Sequence, residues 1–144
     1  MEYRNGIFIV VYRKDKRNIK YLLLKRKLHW KGWEFPKGGI KKSERLIQAV
    51  KRELLEETGQ KAVKIKKFNV GGKYKYDKEY PGRLGFIGQS WNLFSAEVKS
   101  GRVKLDKKEH SSYKWLDFNQ SIKLLKWKNQ KECLKLVNSY LNRF

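Results

Sequence analysis

Apolar positions along the chain follow two rhythms. Gly6 to Tyr12 and Tyr21 to Lys25 are apolar-rich runs that predict strands, and the polar stretch Arg13 to Lys20 can close them into a hairpin. Leu28 to Lys42 mixes glycines with aromatics and ends Pro36-Lys37-Gly38-Gly39, which predicts a loop. A helix is expected from Ser43, as its cap, to about Thr58. Glu44 is then placed in the first turn, where the helix dipole favours an anion, and Gly59 suits the left-handed position past the end. After Gly59 the period drops toward two. Ala62 to Val70, Leu84 to Val98 and Ser112 to Leu116 predict strands, with a turn-rich stretch from Asp77 to Gly82. Phe118 to Trp127 and Asn129 to Leu141 predict helices; in the latter, Leu134, Val137 and Leu141 recur at helical steps. Strands before, between and after helices predict an α+β arrangement, a mixed sheet with helices packed on it.

Composition narrows the class. A chain of 144 residues and 17.3 kDa is the size of one domain, so a single domain over 1–144 is expected. Hydrophobic residues at 40% and aromatics at 14% exclude a disordered chain, although 35% of residues are charged. The lone Cys133 excludes an internal disulfide and fits a reducing compartment. No run approaches a membrane span and no secretory signal is visible at the N-terminus, so a cytoplasmic protein without a membrane partner is expected.

Charge adds a direction but no identity. Lys+Arg 36 against Asp+Glu 14 gives +22, a field that gathers polyanions and so favours phosphate-bearing partners. Lysine supplies most of it, whereas specific phosphate recognition leans on arginine's fork, so a background lysine bias stays open beside a functional one.

The scarce acidic residues are not scattered. Four of the fourteen fall between Glu44 and Glu57, and Glu53, Glu56 and Glu57 lie within five residues. At about 100° per residue the three carboxylates project within roughly a third of a helix circumference. Glu57 also falls between Leu46 and Val50, on the stripe that should face the core. Carboxylates grouped at a partly buried edge need compensating cations. Arg52 can meet Glu56 at i,i+4, and a hard divalent cation can meet the rest. A solvated acidic face is the plainer alternative.

Gly38, Glu44 and the run Arg52-Glu53-Leu54-Leu55-Glu56-Glu57-Thr58-Gly59 stand at the spacing of the Nudix box, and the chain resembles the Nudix hydrolases of nucleotide diphosphates. Gln60 departs from the box, which carries an aliphatic residue there, and a local adjustment below the helix end is expected. Trp33 to Gly39 is similar to the approach loop of dinucleoside tetraphosphate hydrolases and RNA 5′-pyrophosphohydrolases. Glu109-His110, Tyr113 to Leu116 and Leu124 to Trp127 resemble the former; Gly88-Gln89, Trp91 and Phe94 look more like the latter.

The resemblance implies the Nudix fold, a mixed sheet sandwiched between helices. It implies that Glu53, Glu56 and Glu57 hold Mg2+, with Mn2+ as a possible substitute, at a diphosphate. A carbonyl near Gly38 is a plausible further ligand, and a simple tight turn the alternative. Glu109 matches a position that binds metal or serves as base, and a surface glutamate is the equal alternative. Arg52 is expected to orient a glutamate rather than touch substrate, and Glu44 to play a structural part at the helix start. Lys37 and Arg26 are candidate phosphate contacts, and Tyr74 and Tyr76, alternating with lysines, are candidate stacking faces for a base. Solvated surface and an ordinary half-buried strand are the respective alternatives. His110 has no second His or Cys at ligand spacing, which favours a structural role, and Cys133 reads as a small buried or boundary residue of an amphipathic helix.

The reaction implied is water attack on a phosphoanhydride of a nucleotide polyphosphate. Asymmetric cleavage of diadenosine tetraphosphate to ATP and AMP is preferred on the C-terminal resemblance, with pyrophosphate removal from triphosphorylated RNA as the alternative. A Nudix fold retained only to bind nucleotide or RNA is the alternative of another class. Monomer and dimer are both open.

Overall fold

The computed structural model describes residues 2–143, which form seven strands and three helices. Strands β1 (Glu2–Asp15) and β2 (Asn18–Arg26) make an antiparallel hairpin through Lys16-Arg17. β6 (Phe86–Glu97) runs parallel to β1, and β5 (Lys64–Lys75) lies antiparallel outside it. On the other side β2 pairs with β3 (Gly32–Glu34), giving the order β3-β2-β1-β6-β5. β4 (Lys37–Gly39) adds to β1 and β7 (His110–Leu116) to β2. The sheet is mixed, as predicted.

Helices cover both faces, and this explains the unbroken apolar run in β1. Alternate residues point to opposite sides. Ile7, Ile9 and Val11 pack with Ala49, Val50 and Leu54 of α1 (Leu46–Thr58). Phe8, Val10 and Tyr12 pack with Cys133, Leu134 and Val137 of α3 (Lys128–Leu141), beside α2 (Phe118–Leu124). None of these helices is long and apolar enough to cross a membrane.

Several boundaries move from their predicted places. The hairpin strands run on through polar residues to a two-residue turn, with Lys16 at φ 57°, because the ladder continues where both side-chain faces meet solvent. The expected loop from Leu28 to Lys42 contains β3 and β4. Ser43 is not the helix cap: it takes φ 66° in the turn before α1, and Arg45 is the flanking residue, its N–H donated to the Gln48 side chain at 3.0 Å. Glu44 consequently lies outside the first turn, and the dipole argument for it fails. The helix does end at Gly59, whose φ of 70° lets its N–H reach the Leu55 carbonyl at 2.9 Å. Past that end Gln60 is buried, and its amide donates to the carbonyls of Ser100 and Arg102, which is the adjustment the missing aliphatic residue required.

Candidate active site

Register gathers the polar groups at one end of the sheet. Ile7 of β1 faces Gly38 of β4, while Arg26 of β2 faces Gly32 of β3 and, past a bulge, His110 of β7. Helix α1 crosses the Ile7 face and turns Glu53 and Glu57 toward Gly38. A Cβ on Gly38 would lie 2.0 Å from the Glu53 carboxyl carbon, so only glycine allows this approach.

A cavity of about 150 Å³ opens here. Its lining includes Glu53, Glu56, Glu57, Glu109, Gly38, Lys37, Arg26, Tyr74 and Tyr76. The structure therefore brings together all the sequence-predicted site residues except Arg52, which stands behind the wall. From there Arg52 donates to Glu53 at 2.7 Å, to Glu56 at 3.3 Å, to both carboxylate oxygens of Glu44, and to the Gly39 carbonyl at 2.8 Å. Those bonds hold the Glu44 carboxyl down at about 2 and raise the guanidinium above its ordinary value. Glu44 is thus an anchor for Arg52, a role the sequence did not suggest.

The carboxylates experience different surroundings. Glu57 is 2% exposed; its Oε2 accepts the Lys37 N–H at 2.9 Å, and its Oε1 has no hydrogen-bond partner among the described residues. Burial pushes its carboxyl well above the ordinary 4.5, and Glu53, Glu109 and Glu34 add to the rise. Burial also raises Glu53, against the pull of Arg52. Glu109 is partly exposed at the mouth, and one of its oxygens lies 3.8 Å from Arg26.

Beneath them is a buried network around Glu34 whose pairing sequence reasoning missed, although it named Arg26, Lys37 and His110 singly. Glu34, fully buried, accepts from Trp30 Nε1 at 3.1 Å and from Arg26 at 3.3 Å, and pairs with His110 Nε2 at 2.9 Å. Lys37 Nζ stands 3.5 Å away, over the Trp30 ring. Burial alone would raise the Glu34 carboxyl, but Lys37, His110 and Arg26 bring it down to about 2. Arg26 is 3% exposed, a buried ion-pair member at the cavity wall rather than the solvated side chain that was its alternative, and its Nη2 has no hydrogen-bond partner among the described residues. Arg4 and Gln89 also line the cavity, joined at 3.2 Å, and Tyr76 donates to Gln89 at 3.1 Å. Gln89 had a sequence signal in Gly88-Gln89, and Arg4 had none.

A second cavity of about 620 Å³ adjoins the first, sharing Phe8, Trp30, Lys37, Tyr74 and Tyr76. Its aromatic wall continues edge to face from Tyr74 through Tyr76 to Tyr80 and on to Trp30, with His29 tilted against Tyr80. Burial raises the Tyr74 hydroxyl to about 12, so it stays neutral. Lys31, Lys75, Lys78, Lys126 and Lys128 lie exposed around the opening.

Comparison with known proteins gives this geometry a family. Residues 2–137 match the NUDIX domain. An RNA pyrophosphohydrolase of Pelagibacter ubique is 32% identical over 93% of this chain and 92% of its own. Another, of Bartonella henselae, is 25% identical over 78% and 72% respectively. Among solved structures, an Ap4A hydrolase of C. elegans superposes with a TM-score of 0.80 at 23% identity, covering 98% of this chain and 99% of that one. The NUDIX domain of Shewanella oneidensis NrtR, complexed with ADP ribose, does so at 0.79 and 17%, covering 99% and 90%. With residues 2–137 of the chain matched to the family's domain and the glutamates of its box gathered in one cavity, the chain belongs to the Nudix hydrolases and is a pyrophosphohydrolase of that family.

Proposed function

We propose that the protein removes pyrophosphate from the triphosphorylated 5′ end of RNA, with Glu53, Glu56, Glu57, Glu109 and the Gly38 carbonyl as ligands for a divalent metal. The observation that carries this reading is the continuity of the two cavities. A carboxylate-lined end suited to a metal-bound phosphate chain opens into an aromatic wall with an exposed lysine rim. Such a surface suits a stacked 5′ base followed by a phosphodiester backbone. The net charge of +22 and the names of the two sequence relatives support the same substrate.

The donor set fits a hard cation. Glu57 Oε1 is buried without a hydrogen-bond partner among the described residues, and the neighbouring carboxylates on α1 offer oxygen, which suits Mg2+ or Mn2+. When bound, the metal neutralises phosphate oxygens and lowers the pKa of water. The chain's own residues do the rest. Lys37 and Arg26 add fixed positive charge, and Arg26 Nη2 is a donor free for a phosphate oxygen. Arg52 fixes Glu53 and Glu56 from behind. Water attacks phosphorus and passes its proton to a carboxylate. The bridging P–O bond breaks, leaving pyrophosphate and a 5′-monophosphate end.

One observation favours a second reading, hydrolysis of diadenosine tetraphosphate. The larger cavity also carries Trp127, a further aromatic face for a second base. Initial rates on triphosphorylated RNA and on diadenosine tetraphosphate, with Mg2+ at two salt concentrations, separate the two. RNA is expected to be the faster substrate, with a steeper loss at high salt. Turnover of the dinucleotide alone would reverse the assignment, and metal-independent turnover would remove the metal site.

A further inference from the structure

We propose that His110 supplies a nitrogen ligand to the divalent metal through Nδ1, beside Glu57 and Glu109, with Glu34 orienting the ring. The proposal rests on the metal-dependent reading above and adds a donor that the glutamate motif on α1 does not contain.

Three observations carry it. A ring nitrogen of His110 and one carboxylate oxygen each of Glu57 and Glu109 lie within 4.8 Å of one another. Atoms bound at about 2.0–2.2 Å to one ion fall within such a separation. Second, His110 is fully buried, and among the described residues neither its Nδ1 nor Oε1 of Glu57, a residue of the same cluster, has a hydrogen-bond partner. Buried polar atoms are rarely left unpaired, and a cation bound at this cluster is the partner we assign to them. Third, Nε2 is already engaged by Glu34 at 2.9 Å, while Trp30 and Arg26 hold that carboxylate in place. A carboxylate on the far ring nitrogen fixes the tautomer that leaves Nδ1 with a lone pair, the arrangement common behind metal-bound imidazoles. Linear spacing gave no sign of this, because β7 brings His110 to Glu57 only through its pairing with Arg26.

The consequence is metal selectivity. An imidazole favours Mn2+ and later transition ions over Mg2+, which prefers oxygen. Mn2+ bound to the full-length protein should show, by pulsed electron paramagnetic resonance, the nitrogen coupling of a directly bound imidazole. That coupling should change on 15N-histidine labelling and persist in His29→Asn. His110→Gln keeps an amide toward Glu34 and removes Nδ1. By calorimetry it should weaken Mn2+ binding about tenfold or more and Mg2+ binding much less. Mn2+ that binds without histidine coupling in the wild-type protein would overturn the proposal and leave the carboxylate site standing. Absence of Mn2+ and Mg2+ binding altogether would overturn both.

Discussion

Gly38→Ala separates catalytic geometry from stability. Gly38 does not take a positive φ, so the backbone accepts alanine. The added methyl, however, would sit 2.0 Å from the Glu53 carboxyl carbon and 2.3 and 2.4 Å from its oxygens. A carbon–carbon contact needs about 3.5 Å, so the carboxylate has to retreat by roughly 1.5 Å. Glu53 ends a flexible side chain, which keeps the folding cost near the low end for overpacking, about 1 kcal/mol. Catalysis has no such freedom. A displacement of about 1 Å costs on the order of 100-fold, so kcat/KM should fall by about that factor, equivalent to ~2.7 kcal/mol. The 2.7 Å bond from Arg52 to Glu53 is lost in the same movement. Thermal denaturation and steady-state kinetics on wild type, Gly38→Ala, Glu53→Ala and the double variant complete the cycle. If the methyl acts through Glu53, the double variant is no slower than Glu53→Ala alone. Full activity in Gly38→Ala, or a further large loss in the double variant, would refute the reasoning.

Arg52→Ala should lower kcat about 10- to 100-fold and leave KM near wild type, because the guanidinium grips Glu53 and Glu56 from outside the cavity; a change confined to KM would place it on the substrate instead. Gln60→Leu, although it brings the residue into line with the box, should destabilise by about 1–3 kcal/mol in urea titration, since the Ser100 and Arg102 carbonyls lose their donor. Burial holds the Cys133 thiol up at about 12 against an ordinary 9.0, so the fold favours the neutral form. Its contribution to stability is full below pH 9 and lost as pH rises through about 12. A thiol reagent at pH 8 should therefore label native protein only at its rate of unfolding, and immediate labelling would contradict the burial.

The parts of the fold legible in the sequence were those whose pattern is set by burial. Ile7 to Val11 had to be covered on both sides, and Leu134, Val137 and Leu141 marked α3 by their spacing. The ends of elements were a different matter. Polar residues such as Arg13 to Asp15 extend β1 because backbone pairing with β2 continues regardless of side chain. The start of α1 was misjudged because Ser43 has the chemistry of a cap. Its positive φ instead serves a turn that lets Glu44 reach back to Lys41 N–H at 3.0 Å and forward to Arg52.

The candidate site divides along the same line, and the division is physical. Glu53, Glu56 and Glu57 share one helix, so three local angles placed them together before any tertiary contact was known. Arg26, Glu34 and His110 come from three strands and meet because β3 and β7 both register against the end of β2. Nothing local in the sequence encodes that register. Their isolation in sequence also hid their charge logic, for a buried carboxylate is tolerable only beside several donors, and Glu34 has Trp30, Arg26, Lys37 and His110 around it. The carboxylates lining the cavity and this lower network are therefore one electrostatic unit. The upper layer needs added positive charge, and the lower layer brings its own and presents the surplus, Arg26 and Lys37, to the cavity where a phosphate chain would lie.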